Sequence, residues 1–248
     1  MTPPCERGAL VLVPVALGET PWPGFLPPEA HARVTGLRHF VVETEKIARS
    51  QLKRLDHPTP LRELDIRALP ESGPERDLDA LLTPALAGED VGLMSDAGCP
   101  GVADPGARLV ARAHSLGITV APLVGPSSLL LALMASGLNG QSFAFHGYLP
   151  VDDVERDKRI RTLEDESRRL GRTQLFIETP YRNDRMYSAL LAACNGDTQL
   201  CVARDLTTRG EWIGTHTVST WRRQSAPDLA RRPAIFLMLA AQRAAKRR

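Results

Sequence analysis

The sequence predicts an α/β protein of two lobes, a parallel-sheet lobe over residues 1–147 and a mixed-sheet lobe over 148–248. Three observations carry this. Short apolar runs alternate with helix-length segments as far as residue 146, the pattern of a parallel sheet. Beyond residue 172 several apolar runs follow one another with little helix between them, which requires mixed or antiparallel pairing. The 20 Pro and 19 Gly are concentrated in turns that directly follow strands of the first lobe.

The elements follow in order. Residues 9–13 are an apolar run closed by Pro14 and read as a buried parallel strand. Pro21, Pro23, Gly24, Pro27 and Pro28 crowd the next stretch, a long irregular loop of the functional or mobile kind. Pro28 suits the first turn of a helix reaching residue 34. A strand over 39–43 and a helix over 45–55 come next. A helix over 76–87 ends at Gly88, with Pro84 as a kink point, and a strand over 91–95 runs into a dense turn. Helix 107–116 stops at Gly117, strand 118–122 leads to Gly125-Pro126, and helix 129–136 stops at Gly137. A strand over 143–146 closes the lobe. Residues 152–172 carry equal numbers of acids and bases at helical spacing and read as a solvated helix. Strand 174–177, helix 185–193 and strands over 200–203, 212–214, 216–219 and 234–239 complete the chain.

Composition excludes several classes. The 248 residues are 43% apolar and 24% charged, enough to bury a core without staples. A formal charge of +2 excludes a polycationic or polyanionic chain but leaves a local basic patch open. The longest apolar run, 234–241, is far short of the roughly 20 residues that cross a bilayer. Residues 9–17 follow Arg7 and end in Ala16-Leu17-Gly18, like a signal peptide, but Pro14 and Glu6 favour a first strand. Cys5, Cys99, Cys194 and Cys201 form no C-x-x-C pair, so a reducing cytoplasm is the simplest compartment. There is no P-loop, no G-x-G-x-x-G after the first strand, no H-E-x-x-H and no G-x-S-x-G, and the six His are scattered, so no metal site is expected.

The chemistry-bearing segment is Ser95-Asp-Ala-Gly-Cys-Pro-Gly-Val-Ala-Asp-Pro-Gly106, between a strand and a helix. Ligands of open α/β sheets bind outside the carboxyl ends of strands. Its glycines admit close backbone approach, and Asp96 and Asp104 accept hydrogen bonds from a ligand or cap the next helix. Gly125-Pro-Ser-Ser128 occupies the same kind of position, with Ser127 and Ser128 as ligand hydroxyls or plain N-caps. Two such turns after neighbouring strands favour a shared ligand site.

These segments resemble the tetrapyrrole methylase superfamily, and within it the ribosomal RNA small-subunit cytidine 2′-O-methyltransferase subfamily. The likeness rests on residues 95–106, Gly125-Pro126, Gly147-Tyr-Leu-Pro150, Glu178-Thr-Pro-Tyr-Arg182, Arg204-Asp-Leu-Thr207 and Gly214-Thr215, in that order. Glu43 stands where the subfamily's Glu-Asp-Thr-Arg begins, but Glu43-Thr-Glu-Lys46 departs from it. So do Cys99, in place of the usual Thr, and Pro14-Val-Ala-Leu-Gly18, in place of Pro-x-Gly-Asn. The chain resembles a short relative.

The resemblance implies S-adenosylmethionine (SAM) in a cleft between the lobes, lined by Pro14, Asp96, Ala97, Gly98, Cys99, Val102, Ser127, Ser128 and Leu206. It implies methyl transfer to RNA, with ribosomal RNA or the small subunit as partner, a cytoplasmic homodimer and no membrane. A small-molecule methyltransferase of tetrapyrrole type and a non-catalytic SAM-binding protein are the alternatives. Glu178 and Asp104 are the candidate catalytic groups, with a structural hydrogen bond as the competing role of each. Glu43, Arg49, Tyr181 and Arg182 are candidate substrate contacts. Lys53, Arg54, Arg185 and the tail 246–248 are further phosphate candidates or ordinary surface charge. Trp22 and Phe25 either cover a flipped base or anchor their loop.

Overall fold

A computed structural model describes residues 7–242. The chain divides into two compact units, Met1–Ser127 and Ser128–Arg248.

The first unit holds β1 (Ala9–Leu12), α1 (Pro28–Thr35), β2 (His39–Val42), α2 (Glu45–Arg54), β3 (Asp65–Ala68), α3 (Glu75–Leu86), β4 (Val91–Met94), α4 (Ala107–Ser115) and β5 (Thr119–Pro122). Its strands form one parallel sheet in the order β3-β2-β4-β1-β5. Successive strand residues face opposite sides, so each strand feeds two cores. Val11, Phe40, Val42 and Ile66 bury one face with Val34 and Leu52. Leu10, Val41, Val91 and Leu93 bury the other with Leu82, Leu109 and Ala113. Trp22 and Phe25 pack on the first of these cores, and the Trp22 ring stacks on His31 at 3.7 Å. They therefore anchor their loop rather than stand free to cover a base.

Sequence and structure agree on these elements, with β3 added. That strand is an edge with a single buried residue, Ile66, so no apolar run announces it.

The second unit holds α5 (Ser128–Ser136), β6 (Phe143–Tyr148), α6 (Asp153–Leu170), β7 (Thr173–Ile177), α7 (Asn183–Ala193), β8 (Gln199–Arg204), β9 (Trp212–Thr217), α8 (Val218–Trp221) and β10 (Ala234–Leu239). The sheet order is β6-β7-β10-β8-β9, with β6 parallel to β7 and the remaining pairs antiparallel. This is the expected mixed sheet. Phe176 and Phe236 stack at its centre, beneath Ile160, Leu163, Leu190 and Trp221.

Three expectations need correction. The junction expected at 147/148 lies at 127/128, because α5 packs on β8, β9 and β10 and β6 pairs with β7. The two strands expected over 212–219 are one strand, β9, followed by the short helix α8. Finally, α6 is not a wholly solvated helix. Asp152 caps its start by accepting from the Val154 and Glu155 N–H groups, and Gly171 ends it in the left-handed region at φ 61°. Between these caps Arg156, Ile160, Leu163, Glu164 and Ser167 form a buried stripe at helical spacing. Glu164 accepts from the Asn195 backbone at 2.7 Å, from the Asn195 side chain and from the Thr198 hydroxyl. Among the described residues no helix is long and apolar enough to cross a membrane.

Candidate functional site

Because the first sheet is wholly parallel, the loops after β1, β2, β4 and β5 all leave the same edge. The chain leaves β1 toward β2 but leaves β4 toward β5, in opposite directions along the sheet. The border between β1 and β4 is thus a switch point, the place where open α/β sheets bind ligands.

The main chain builds a cradle at that border. Val15 N–H donates to the Gly98 carbonyl at 2.9 Å, and Gly98 N–H returns to the Val15 carbonyl at 3.2 Å. Gly98 holds φ 71°, a conformation side chains disfavour, and a Cβ there would stand 3.3 Å from Leu17 Cδ2. The Cys99 thiol donates to the Pro126 carbonyl at 3.2 Å, joining the loops after β4 and β5. Gly125 lies so close to Pro14 that a Cβ would meet its ring at 2.2 Å. Pro14 and Gly98 are buried, Cys99 and Ser127 half-buried, and Ala97 and Val102 exposed. Ser128 opens α5 in the second unit.

Acidic groups gather at the cradle. Asp96 N–H donates to Glu43 Oε2 at 3.0 Å, and the Thr44 hydroxyl donates to Asp96 Oδ2 at 2.9 Å. Burial, and then the nearby charges of Glu43 and Asp96, push the Asp104 carboxyl up to about 6 against an opposing hydrogen bond from Ser95. Burial and the Asp104 charge raise the Cys99 thiol, keeping it protonated at neutral pH. Among the described residues no group of three His, Cys, Asp or Glu is placed to hold a metal.

Helix α2 lies over this edge, and here the structure adds Gln51, which sequence reading missed. Gln51 is 8% exposed; its Nε2 lies 3.5 Å from the Asp96 carbonyl, and its Oε1 has no partner among the described residues. The Arg54 guanidinium donates to the Gly18 carbonyl, so it braces the loop after β1 rather than a phosphate. The signal for Gln51 was its place beside Ala48 and Leu52 on the buried face of α2. Arg49 donates to the Leu61 carbonyl at 3.1 Å and lies 3.8 Å from Glu45.

The second unit carries the other expected residues on separate terms. Glu178 is 7% exposed, and its Oε1 accepts from Arg182 Nη2 at 2.6 Å, Arg182 Nε at 3.0 Å and Thr179 N–H at 2.6 Å. Three donors on one oxygen favour a structural anchor over a free base. Tyr181 is 83% exposed beside it. Leu206 follows β8 with its side chain buried. Arg185 is held by Asp153. The tail 246–248 lies outside the described residues.

The profile of the family described as Tetrapyrrole (Corrin/Porphyrin) Methylases matches residues 26–221. The chain is similar to proteins named ribosomal RNA small subunit methyltransferase I. That of Mesorhizobium japonicum is 38% identical over 148 residues, 60% of this chain and 47% of the relative. That of Vibrio cholerae is 34% identical over 146 residues, 59% and 49% of the two chains. That of Xylella fastidiosa is 35% identical over 161 residues, 65% and 58%. The chain spans about half the length of the curated relatives it matches. In fold it is similar to the methyltransferase CobJ, at 20% identity and TM-score 0.59 over 97% of this chain and 96% of that one. A uroporphyrin-III-C-methyltransferase from Thermus thermophilus matches at 20% identity and TM-score 0.52 over 94% and 92%.

Proposed function

Since the chain belongs to the tetrapyrrole (corrin/porphyrin) methylase family, we propose that it is a SAM-dependent methyltransferase acting on a ribose 2′-hydroxyl of ribosomal RNA. The relatives' names support the substrate. The observation that carries the reading is the cradle of main chain, Val15 bonded to Gly98 and Cys99 to Pro126, at the sheet's switch point.

The residues present fit SAM. Gly98 offers backbone without a side chain, the buried Gln51 Oε1 lacks a partner among the described residues, and Glu43 and Asp96 are acceptors for hydroxyl or ammonium donors. When bound, SAM supplies a methyl group already activated by its positive sulfur. Transfer of such a methyl gains chiefly from positioning, and a well-oriented pair can contribute about 7–11 kcal/mol. The fastened loops hold their carbonyl and N–H groups in fixed directions, which is the positioning this chain provides. Asp104 takes the proton of the attacking hydroxyl: with its carboxyl near 6 it is largely ionised at neutral pH yet more basic than an ordinary aspartate. A general base positioned on the attacking hydroxyl contributes about 10²–10⁴-fold. Glu178 positions Arg182 rather than moving a proton.

The same reading includes a homodimer and a cytoplasmic location. Exposed Leu130 and Met134 on α5 support a covering second copy, which sedimentation tests. The location follows from the substrate. Calorimetry with SAM tests the cofactor; no binding overturns the whole reading. Methyl-labelled SAM supplied with small ribosomal subunits from a strain lacking the protein should place label on ribose. Label in no RNA overturns the substrate.

A further inference from the structure

Helix α2 has two faces with different duties. Ala48, Gln51 and Leu52 face inward, and Gln51 and Arg54 reach the loops of the cradle. On the opposite side Lys46, Arg49, Ser50 and Lys53 share one stripe, at i, i+3, i+4 and i+7. Lys46, Ser50 and Lys53 are exposed and Arg49 is half-exposed. Neither lysine forms an ion pair among the described residues. Glu45, the acid of the first turn, lies 3.8 Å from Arg49. At about 1.5 Å per residue the two lysines stand roughly 10 Å apart, enough to meet separate phosphates.

We propose that the Lys46–Arg49–Lys53 stripe is a docking track for the phosphate backbone of RNA. The proposal rests on the RNA reading above and adds a surface to it. Charge complementarity names the occupant: two exposed lysines flanking the partly engaged Arg49 on one helix face suit a polyanion, while the acidic groups beneath α2 suit hydroxyls. The division places the chain's sequence-independent grip on the outer face of the helix whose inner face braces the cradle. A substrate held there bears on the element that supports Asp96.

The test compares the wild-type chain with the Lys46→Gln/Lys53→Gln double variant. Binding of a fluorescein-labelled single-stranded RNA oligonucleotide is measured by anisotropy across a series of KCl concentrations. Each single-strand phosphate contact contributes about 0.7 to the slope of log K against log salt. The double variant should lower that slope by about 1.4, with SAM affinity unchanged. A Lys158→Gln/Arg161→Gln variant removes equal charge from exposed positions of α6 and should keep the wild-type slope. An unchanged slope in the α2 variant, or an equal fall in the α6 variant, overturns the track alone. If the wild-type chain binds SAM but no RNA, the RNA reading fails and the track with it.

Discussion

Gly125→Ala tests the cradle most directly. The new methyl would stand 2.2 Å from Pro14 Cβ and 2.5 Å from Cγ. Carbon atoms rest at about 3.5–4.0 Å, so one loop must move by roughly an ångström or more. Pro14 cannot swing aside: its φ is locked by its ring, and Val13 and Val15 on either side are hydrogen-bonded to Leu93 and Gly98 at 2.9 Å. The loop after β5 therefore yields, and with it the Cys99 bond to Pro126. Such overpacking costs about 1–3 kcal/mol. Thermal denaturation should show Tm falling by about 2–4 °C for each kcal/mol in a chain of this size. Binding SAM would have to restore the displaced loop, so calorimetry should read an affinity about five- to hundredfold weaker. Gly140→Ala is the matched control, since a Cβ at Gly140 meets nothing within 4 Å. It should leave both readings alone or raise stability by about 0.4–1 kcal/mol. Wild-type Tm and affinity in Gly125→Ala would refute the claim that the approach of Gly125 to Pro14 is rigid.

Three further outcomes follow. The folded Asp104 carboxyl, near 6, lies above its ordinary 3.8; it favours the folded state at acid pH, and that contribution is lost as pH rises from 3.8 through about 6. Asp104→Asn should remove this part of the Tm-against-pH curve and abolish the rise of methyl transfer centred near pH 6; a variant with the wild-type pH-rate profile excludes Asp104 as base. Glu178→Gln leaves Arg182 without its charged partner and should cost about 1–3 kcal/mol in denaturant unfolding, while an unchanged midpoint would show the pair to be idle. Glu164→Ala strips acceptors from Asn195 and Thr198 and should cost about 3 kcal/mol or more, against about 0.5 kcal/mol or less for the exposed neighbour Asp165→Ala; equal losses would contradict the buried stripe of α6.

Much of this was legible in the residues because the first unit is built from local signals. Pro14, Gly88, Gly117 and Gly137 punctuate the elements where the structure ends them, and apolar runs mark every strand with two buried faces. β3 lacks such a run because only Ile66 turns inward. α6 hid its buried stripe because Arg156 and Glu164 satisfy their charges inside the protein, against Asp153 and Asn195. The unit boundary was misplaced because α5 and β6 look the same whichever sheet they join; only their partners, β8 to β10 and β7, decide it. At the candidate site, the turn that places Asp96, Gly98 and Asp104 together was readable from its composition. Gln51 and Val15 were not, and Arg54 was read for a phosphate, because each acts on a main-chain group far away in sequence.

The bridge between Val15 and Gly98 bears on how such a protein changes over time. Both of its hydrogen bonds run between N–H and C=O groups, so the side chain at position 15 takes no part in either. Side chains there can change only within a buried space, since Val15 is 0% and Ala16 2% exposed, but the join itself asks nothing of their identity, and the segment Pro14-Val-Ala-Leu-Gly18 can depart from the subfamily's Pro-x-Gly-Asn while the join persists. Gly98 and Gly125 have no such freedom, since one needs its positive φ and the other its missing methyl. Divergent relatives should therefore vary around these two glycines before they vary at them.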